Sequence, residues 1–274
     1  MNLGWTSARA GTPSHRDRWT DRGDTVSLVR PRLAPRPLRF AAEPRPVEVD
    51  LARSALVVVD MQNDFCHPAG WFAAVRGVDP APLAAPLAAI NRLTAAFRRC
   101  AAPVIFLHWG VAADRADLPA NVLDKATACG GLPGYGDAQP AGDGGILVAG
   151  DWGAAPVDGL DVAPNDLVVH KTRLSGFKDT RLDQVLRRRD VTTVFYAGIN
   201  IDRCVFATLM DGAFEGYDPI LVDDACATPS PTSVRDAVLL LVRQLYGFTA
   251  RTADIVAAAE AVLATAVPTP GEPS

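Results

Sequence analysis

The chain has 274 residues, of which 49% are apolar, and a formal net charge of -4. Such a chain can bury a complete core, so we expect a single domain of about 220 residues with extensions. It contains neither a run of 18 apolar residues nor an amino-terminal apolar h-region, which argues against a membrane protein and against a secreted one. We therefore expect a cytoplasmic protein with no membrane partner.

The cysteines and lysines carry further information. Five cysteines, an odd number without a C-x-x-C pair, favour reduced thiols in a cytoplasm. Neither they nor the four histidines have the spacing of a zinc site, so we expect no metal and no cofactor. Only Lys125, Lys171 and Lys178 among the 27 basic residues are lysines. Lysine, unlike arginine, can lose its proton when it is desolvated, so we expect that some of these lysines are kept for a role that arginine cannot fill.

Residues 1–50 are rich in Arg and Pro, with eight arginines against three aspartates in the first forty positions. We interpret them as a poorly ordered arm that partly covers a neighbouring subunit. A basic tail that binds nucleic acid is the alternative, but the interleaved aromatic residues of such tails are absent. No nucleic-acid partner is therefore expected, and the main domain is predicted at 51–266, followed by a disordered tail at 267–274.

From residue 55 onwards, strands alternate with helices. Short apolar runs predict buried strands at 55–60, 103–109, 166–171, 193–197 and 219–224. Helical spacing of apolar residues predicts helices near 81–100, 180–189, 203–216, 231–246 and 252–265. Strands joined by helices of this length form right-handed crossovers. The predicted fold is therefore a three-layer α/β/α domain with a mainly parallel sheet.

Polar or flexible positions follow the predicted strands. Asp60, His108, Lys171 and the turn at Gly198 all fall at carboxyl ends of strands. In open α/β sheets this edge binds ligands, so we expect these positions to converge there. Plainer readings remain open, since Asp60 could cap a turn and Lys171 could be a solvated strand end.

The strand at 193–197 runs through Gly198 into a turn that delivers Cys204 to the first turn of a helix. Backbone N–H groups and the helix dipole favour a thiolate at that position, although a buried core cysteine is the plainer reading. If Asp60, Lys171 and Cys204 meet, the lysine lowers the pKa of the thiol and the carboxylate can take its proton. Backbone N–H groups from residue 199 to 204 could then stabilise an oxyanion.

Residues 110–165 are dense in Gly, Pro and Asp. A stretch of this length without clear elements is typical of a functional loop or lid, with surface decoration as the alternative. The sequence alone leaves both open.

Three ordered blocks resemble the signature blocks of the isochorismatase-like cysteine hydrolase superfamily: VVVDMQNDFC at 57–66, HKTRLSGFKDTRLD at 170–183 and the stretch 197–228. The resemblance implies that Asp60 is the general base, Lys171 the thiol-activating cation and Cys204 the nucleophile. It also implies a non-proline cis peptide between Ile199 and Asn200, and an oxyanion hole made by the amides of Asn200 and Cys204. Family members are commonly oligomers, which implies a homo-oligomer, either a dimer or a tetramer.

Within the superfamily, the middle block is most similar to ureidoacrylate hydrolases, and DRADLPAN at 114–121 resembles biuret hydrolases. The resemblance implies a cysteine-dependent amidohydrolase that cleaves a C–N bond of a small linear ureido or amide compound through an acyl-thioester. Phe65, Trp109 and Phe177 are predicted to wall the pocket, and Arg173 to pair with a substrate carboxylate if it points inward. Leu174 and Asn200 depart from the family pattern at the expected pocket, which leaves the substrate open.

Three other functions remain possible from the sequence. One is a nicotinamidase-like or N-carbamoyl amine or amino acid hydrolase of the same superfamily. Another is a redox protein in which Cys204 forms a sulfenic acid or a disulfide, although no resolving cysteine lies nearby in sequence. The third is a non-catalytic scaffold that acts through its amino-terminal arm.

Overall fold

The computed structural model describes residues 20–29, 33–140 and 142–265. The chain divides into two compact units, residues 1–35 and 36–274. In the first unit, β1 (Thr20–Asp21) and β2 (Val26–Ser27) pair in antiparallel fashion. The predicted tail, 267–274, and the first part of the predicted arm, 1–19, lie outside the described residues. None of the described helices combines the length and the apolar character needed to cross a membrane.

Seven strands of the second unit form one sheet, in the order β4-β11-β10-β9-β6-β7-β8. Neighbouring strands are parallel except at the edge, where β4 runs antiparallel to β11. The strands of this unit are β3 (Pro37–Phe40), β4 (Ala42–Glu43), β5 (Val47–Asp50), β6 (Ser54–Val59), β7 (Val104–Trp109), β8 (Leu167–Lys171), β9 (Thr193–Ile199), β10 (Asp218–Ala227) and β11 (Phe248–Ala250). The five predicted strands correspond to β6 to β10. Strands β4 and β11 were missed because two or three residues carry no periodicity.

Helices flank this sheet. They are α1 (Asn63–Cys66), α2 (Trp71–Ala74), α3 (Ala81–Ala84), α4 (Leu87–Arg99), α5 (Ala120–Ala126), α6 (Leu182–Arg188), α7 (Phe206–Phe214), α8 (Thr232–Leu241) and α9 (Thr252–Thr265). Helix α4 buries Ile90, Leu93 and Phe97, the positions i, i+3 and i+7 of one face. The connections β6–α4–β7 and β9–α7–β10 step in opposite directions across the sheet. Right-handed crossovers therefore place α4 and α7 on opposite faces, and the predicted three-layer fold is confirmed.

The domain begins earlier than the sequence predicted. Residues 36–50 were assigned to a poorly ordered arm, but they belong to the second compact unit, where β3 and β5 pair in antiparallel fashion. Leu38 and Phe40 are buried, and the Phe40 ring lies 5.8 Å from the ring of Phe195 on β9. The side chain of Arg36 donates a 2.6 Å hydrogen bond to the carbonyl of Cys100. The prediction failed there because prolines masked a four-residue strand with alternating burial.

The strand order reverses between β6 and β9. Strands β6, β7 and β8 follow one another in one direction, and β9, β10 and β11 follow in the other. At such a switch point the connections leave opposite faces of the sheet, which opens a crevice at the carboxyl ends of the two central strands. The fold therefore points to the end of β6 and the end of β9 as the place to look for a site.

Candidate active site

Four neighbouring strands end at this crevice with functional side chains or turns. Asp60 directly follows β6, Trp109 and Lys171 are the last residues of β7 and β8, and β9 leads into the turn before Cys204. In the register of the sheet, Trp109 pairs with Lys171. His108, also expected at this edge, pairs with His170 one position earlier in the register. Because successive side chains of a strand point to opposite faces, the side chain of His108 points to the other face of the sheet from that of Trp109.

Asp60 and Lys171 form a buried ion pair. Lys171 Nζ lies 2.9 Å from Asp60 Oδ2, and the two side chains are 0% and 2% exposed. The other carboxylate oxygen accepts a 3.1 Å hydrogen bond from the backbone N–H of Trp109. The Lys171 ammonium also lies 4.1 Å from the centroid of the Trp109 ring and donates to the carbonyl of Arg173 at 3.3 Å. Both charges of the pair are therefore held by further contacts.

The turn after β9 brings Cys204 to this pair. Gly198 has a φ of +107°, and a Cβ there would collide with the carbonyl of Val59 on β6, so the close approach of the two strands requires glycine. The Ile199–Asn200 peptide is cis, as the family resemblance implied. The chain then makes one π-helical turn, Ile201–Val205, that continues into α7. The Cys204 thiol is buried and lies beside the Asp60 carboxylate, and each group shifts the pKa of the other.

The electrostatics of the thiol differ from the sequence expectation. Burial and the neighbouring Asp60 carboxylate raise the pKa of the Cys204 thiol, and Lys171 opposes this shift without reversing it. Burial likewise raises the pKa of Asp60, against the lowering effect of Lys171 and of the hydrogen bonds that it accepts. The predicted thiolate was wrong for the resting site because desolvation disfavours a charged sulfur. The site instead pairs a neutral thiol with a carboxylate that can accept its proton.

A cavity of about 490 Å³ opens over Cys204 and Asn200. The predicted wall residues Phe65 and Trp109 both line it. Three further aromatic residues complete this wall: Trp71, Phe72 and Tyr135. The Tyr135 ring stacks on Trp109 at 4.7 Å and 24°, which links the wall to the residue that supports Lys171.

Arg173 and Phe177 do not line this cavity. Arg173 Nη2 lies 3.1 Å from Asp179, and its Nη1 donates to the carbonyl of Asp117 at 2.9 Å. Phe177 packs against Tyr217, with ring centroids 5.7 Å apart. The expected pairing of Arg173 with a substrate carboxylate therefore has to be corrected, because its guanidinium contacts Asp179 and the carbonyl of Asp117 outside the cavity.

Sequence reasoning did not place any cation in the cavity, which is lined by Arg76, Lys125 and Arg203. The scarcity of lysine singled out Lys125, and Arg203 directly precedes the nucleophile candidate, but neither signal said where the side chain would point. Segment 110–165 contributes Lys125 and Tyr135 to the cavity, so it forms a wall of the site and is more than surface decoration.

Asp64 anchors that wall. It accepts hydrogen bonds from the backbone N–H groups of Trp71 and Leu147 and from the side chain of Gln139. Gln139 and Leu147 both belong to segment 110–165, so one carboxylate ties the segment to helix α1. Among the described residues, no group of three or more His, Cys, Asp or Glu side chains could hold a metal ion.

The profile of the isochorismatase domain matches residues 54–254 of the chain. The chain is 31% identical over 233 residues to the ureidoacrylate amidohydrolase RutB of Caulobacter segnis, which covers 81% of this chain and 92% of the relative. It is 34% identical over 210 residues to the protein of the same name from Methylobacterium radiotolerans, and the matched region covers 76% of this chain and 80% of that relative. These relatives confirm the predicted enzyme class, hydrolysis of a carbon–nitrogen bond.

Solved structures agree with these matches. A cysteine hydrolase from Pseudomonas syringae pv. phaseolicola superimposes with a TM-score of 0.66 at 27% identity, covering 78% of this chain and 95% of the other. An N-carbamoylsarcosine amidase from Thermoplasma acidophilum gives a TM-score of 0.55 at 25% identity, with coverages of 73% and 96%. The chain therefore belongs to the isochorismatase family.

Proposed function

We propose that the chain hydrolyses a C–N bond of a small linear ureido or amide compound, similar to ureidoacrylate or biuret, with Cys204 as the nucleophile. The single observation that carries this proposal is the buried Asp60–Lys171 ion pair, 2.9 Å long, beside the Cys204 thiol at the floor of the cavity. A buried carboxylate beside both an ammonium and a thiol has few structural uses. Removing its charge from water costs free energy of desolvation, which apolar packing does not compensate.

In the first step, Asp60 takes the thiol proton while the sulfur attacks the substrate carbonyl. The carbonyl oxygen becomes an oxyanion, and the backbone amides of Asn200 and Cys204 are the proposed donors to it. The Lys171 ammonium favours the thiolate that forms transiently, and the neutral resting thiol makes a base such as Asp60 necessary.

The tetrahedral intermediate then collapses. The C–N bond breaks, Asp60 returns its proton to the leaving nitrogen, and an acyl-thioester remains on Cys204. Water attacks this thioester with Asp60 again as base, the C–S bond breaks and the thiol recovers its proton. The products are an amine or ammonia and a carboxylic or carbamic acid, so the net reaction consumes one water.

Cys204→Ala and Cys204→Ser test the nucleophile. Both should lower kcat by about a thousandfold or more without unfolding the protein, because the new bond to sulfur cannot form. The measurement is ammonia or amine release, with circular dichroism to verify the fold. Retention of half the wild-type rate by either variant would end the proposal.

Lys171→Arg tests the cation. Arginine keeps the charge but has a planar, larger head group that cannot occupy the 2.9 Å contact to Asp60 and the position over Trp109 together. We expect less than about a hundredth of the wild-type kcat. Lys178→Arg is the matched control, since Lys178 is exposed and lies outside the cavity.

The alternative members of the same family, nicotinamidase-like and N-carbamoyl amine or amino acid hydrolases, are tested by substrate. Biuret, ureidoacrylate, N-carbamoyl amino acids and nicotinamide are compared side by side by ammonia release. A wild-type protein that turns over none of them, and whose Cys204 forms no acyl adduct detectable by mass spectrometry, would support the non-catalytic scaffold.

A further inference from the structure

The mouth of the cavity is positively charged. Its lining contains the three cations Arg76, Lys125 and Arg203, and no aspartate or glutamate. Lys125 is exposed and the Arg203 side chain is 44% exposed, whereas Cys204 and Asn200 are buried. The cations therefore lie towards solvent, and the reacting sulfur lies at the floor.

These cations are largely free to meet an anion. Within the described part of the chain, neither Arg76 nor Lys125 has a carboxylate within 4 Å. Arg203 lies 3.7 Å from Asp202, but that carboxylate already accepts hydrogen bonds from the hydroxyls of Thr228 and Ser230. An arriving carboxylate would meet three positive groups and no competing acid of the lining.

Arg76 is held in place rather than mobile in solvent. Its guanidinium lies 5.2 Å from the centroid of the Trp71 ring and donates to the carbonyl of Ala126, at the end of α5. These contacts join α2 and α5, the two short helices that border the mouth. A preorganised guanidinium loses less entropy when it binds a carboxylate, so part of the binding cost is met before the substrate arrives.

Between mouth and floor the walls are aromatic. Phe65 and Phe72 pack edge to face at 4.8 Å, Trp71 lies 5.3 Å from Tyr135, and Tyr135 stacks on Trp109. A cavity of about 490 Å³ lies within the range that holds drug-sized ligands, roughly 300–1,000 Å³. A substrate made only of a ureido group and a carboxylate would leave much of this apolar wall in contact with water.

We infer that the substrate is an N-carbamoyl amino acid with an aromatic side chain: its ureido carbonyl reaches Cys204, its ring packs on the aromatic wall, and its carboxylate pairs with the cations at the mouth. This inference rests on the proposed function and names the substrate class of the same site. It assigns specificity to Arg76, Lys125 and Arg203. Charge-assisted hydrogen bonds select the acid, and the buried area of the ring selects the aromatic body.

Four compounds separate the two recognition elements. N-carbamoyl-phenylalanine has both, N-carbamoyl-phenethylamine lacks the carboxylate, N-carbamoylglycine lacks the ring, and methylurea lacks both. The amine product and ammonia are quantified for each, together with ureidoacrylate and biuret. We expect the highest kcat/KM for N-carbamoyl-phenylalanine and a loss of about tenfold or more for removal of either element.

The outcomes distinguish this inference from the proposed function. Equal kcat/KM for the acid and its neutral counterpart overturns the charge selection, and equal values for the phenylalanine and glycine compounds overturn the aromatic selection. Turnover of ureidoacrylate or biuret but of none of the four compounds overturns the inference and leaves the proposed function standing. Turnover of no compound at all removes both.

Variants of the mouth provide a second readout. Lys125→Gln and Arg203→Gln should each raise KM for N-carbamoyl-phenylalanine at least fivefold more than KM for N-carbamoyl-phenethylamine. Lys178→Gln removes the same charge from an exposed lysine outside the cavity and should change neither value. Parallel changes for the acid and the neutral compound would assign the cations a structural role and overturn the inference.

Discussion

The Cys204 thiol and the Asp60 carboxylate lie next to each other, and each acts on the pKa of the other. Burial raises the pKa of both groups, so the thiol keeps its proton at rest, and the ammonium of Lys171 favours the ionised form of both acids. A thiol of this kind is protected from adventitious oxidation, because oxidants react with the thiolate. In the proposed reaction it becomes nucleophilic only when a substrate carbonyl and the proposed oxyanion donors are in place.

Trp109 organises this pair with three of its groups. Its backbone N–H is shared between Asp60 Oδ1 and Gln62 Oε1, at 3.1 and 2.8 Å. Its carbonyl accepts a 2.8 Å hydrogen bond from the Gln62 side chain, and its ring lies beneath the Lys171 ammonium. The end of β7 therefore positions both members of the ion pair, although neither the amide nor the ring takes part in bond making.

The raised pKa of Asp60 predicts the acid side of the pH–rate profile. As the pH falls through the raised value, the carboxylate is protonated and can no longer accept the thiol proton. With a neutral substrate such as biuret, kcat/KM should fall with an apparent pKa above the 3.8 of an ordinary aspartate. Lys171→Met should move this acid limb to still higher pH, since it removes the charge that stabilises the carboxylate. An acid limb at or below pH 3.8 would contradict the assignment of the base.

Among the elements, the segment between β7 and β8 is attached in part by Asp64, beside Gln62 and Asn63, whose side-chain amides donate to the carbonyls of Ala154 and Trp152. Three hydrogen bonds converge on this buried carboxylate, from two backbone N–H groups and one side-chain amide. Gly153 is needed beside it, because a Cβ there would collide with the carboxylate and with Gln139. The wall of the cavity that carries Lys125 and Tyr135 thus depends on an acid that does not touch the cavity itself.

Asp64→Asn should loosen this wall. The new amide group would face N–H donors with its own donor, which leaves at least one buried group unpaired and costs about 1–3 kcal/mol. Denaturant unfolding should show this loss, and limited proteolysis should cut segment 110–165 faster. Asp158→Asn is the matched control, because Asp158 is an exposed acid of the same segment. Equal proteolysis of both variants would argue against the anchor.

The hairpin of β3 and β5 determines where the domain can be truncated. Deletion of residues 1–35 removes only the first compact unit, and the free energy of unfolding of the remaining unit should change little. Deletion of residues 1–45 also removes β3 with the buried Leu38 and Phe40, which should cost several kcal/mol at about 1.5–3 kcal/mol for each side chain. Thermal unfolding of the two truncations compares them directly. Equal stabilities would show that the hairpin does not belong to the core.

For the whole molecule, the order of the strands explains why the candidate site residues meet at one edge of the sheet. The four strands β9, β6, β7 and β8 are neighbours, yet their carboxyl ends, from Val59 to Ile199, are spread over about 140 residues of the chain. Side chains on the rigid ends of buried parallel strands keep their distances better than side chains on loops. The loops then have to provide only the walls of the cavity.

The stability of the molecule towards acid should depend on His108. Burial lowers its pKa from 6.5 to about 3, with smaller contributions from His170 and Lys171, and its Nε2 has no hydrogen-bond partner among the described residues. A lowered pKa means that the unfolded state binds the proton more tightly. Stability from this residue is therefore complete above pH 6.5 and is lost as the pH falls towards 3.

Between pH 7 and pH 5 this loss amounts to about 2 kcal/mol. His108→Leu cannot titrate, so its free energy of unfolding should fall by about 2 kcal/mol less than that of the wild type over the same range. Urea unfolding of both proteins at pH 7 and pH 5 measures this difference in the free energy of unfolding. The buried carboxyl groups are the same in both proteins, so their contributions cancel. Identical pH dependence of the two proteins would contradict the assignment.

The sequence alone determined the elements that are long and periodic. The buried strands β6 to β10, the helix that begins near Cys204 and the parallel architecture follow from local patterns, because the period of apolar residues reports which faces are buried. The placement of Asp60 and Lys171 at strand ends, and of Cys204 after the turn that follows β9, also follows, since parallel strands end at one edge. Short elements such as β3, β4 and β11 carry too few residues for such a pattern.

Only the tertiary structure decided what surrounds those three residues. The direction in which Arg173, Arg76 and Lys125 point depends on contacts between segments far apart in the chain, which no local pattern encodes. The protonation of Cys204 was likewise decided by the folded molecule. Desolvation depends on everything that excludes water from the sulfur, and it outweighs the nearby positive charge that the sequence had suggested.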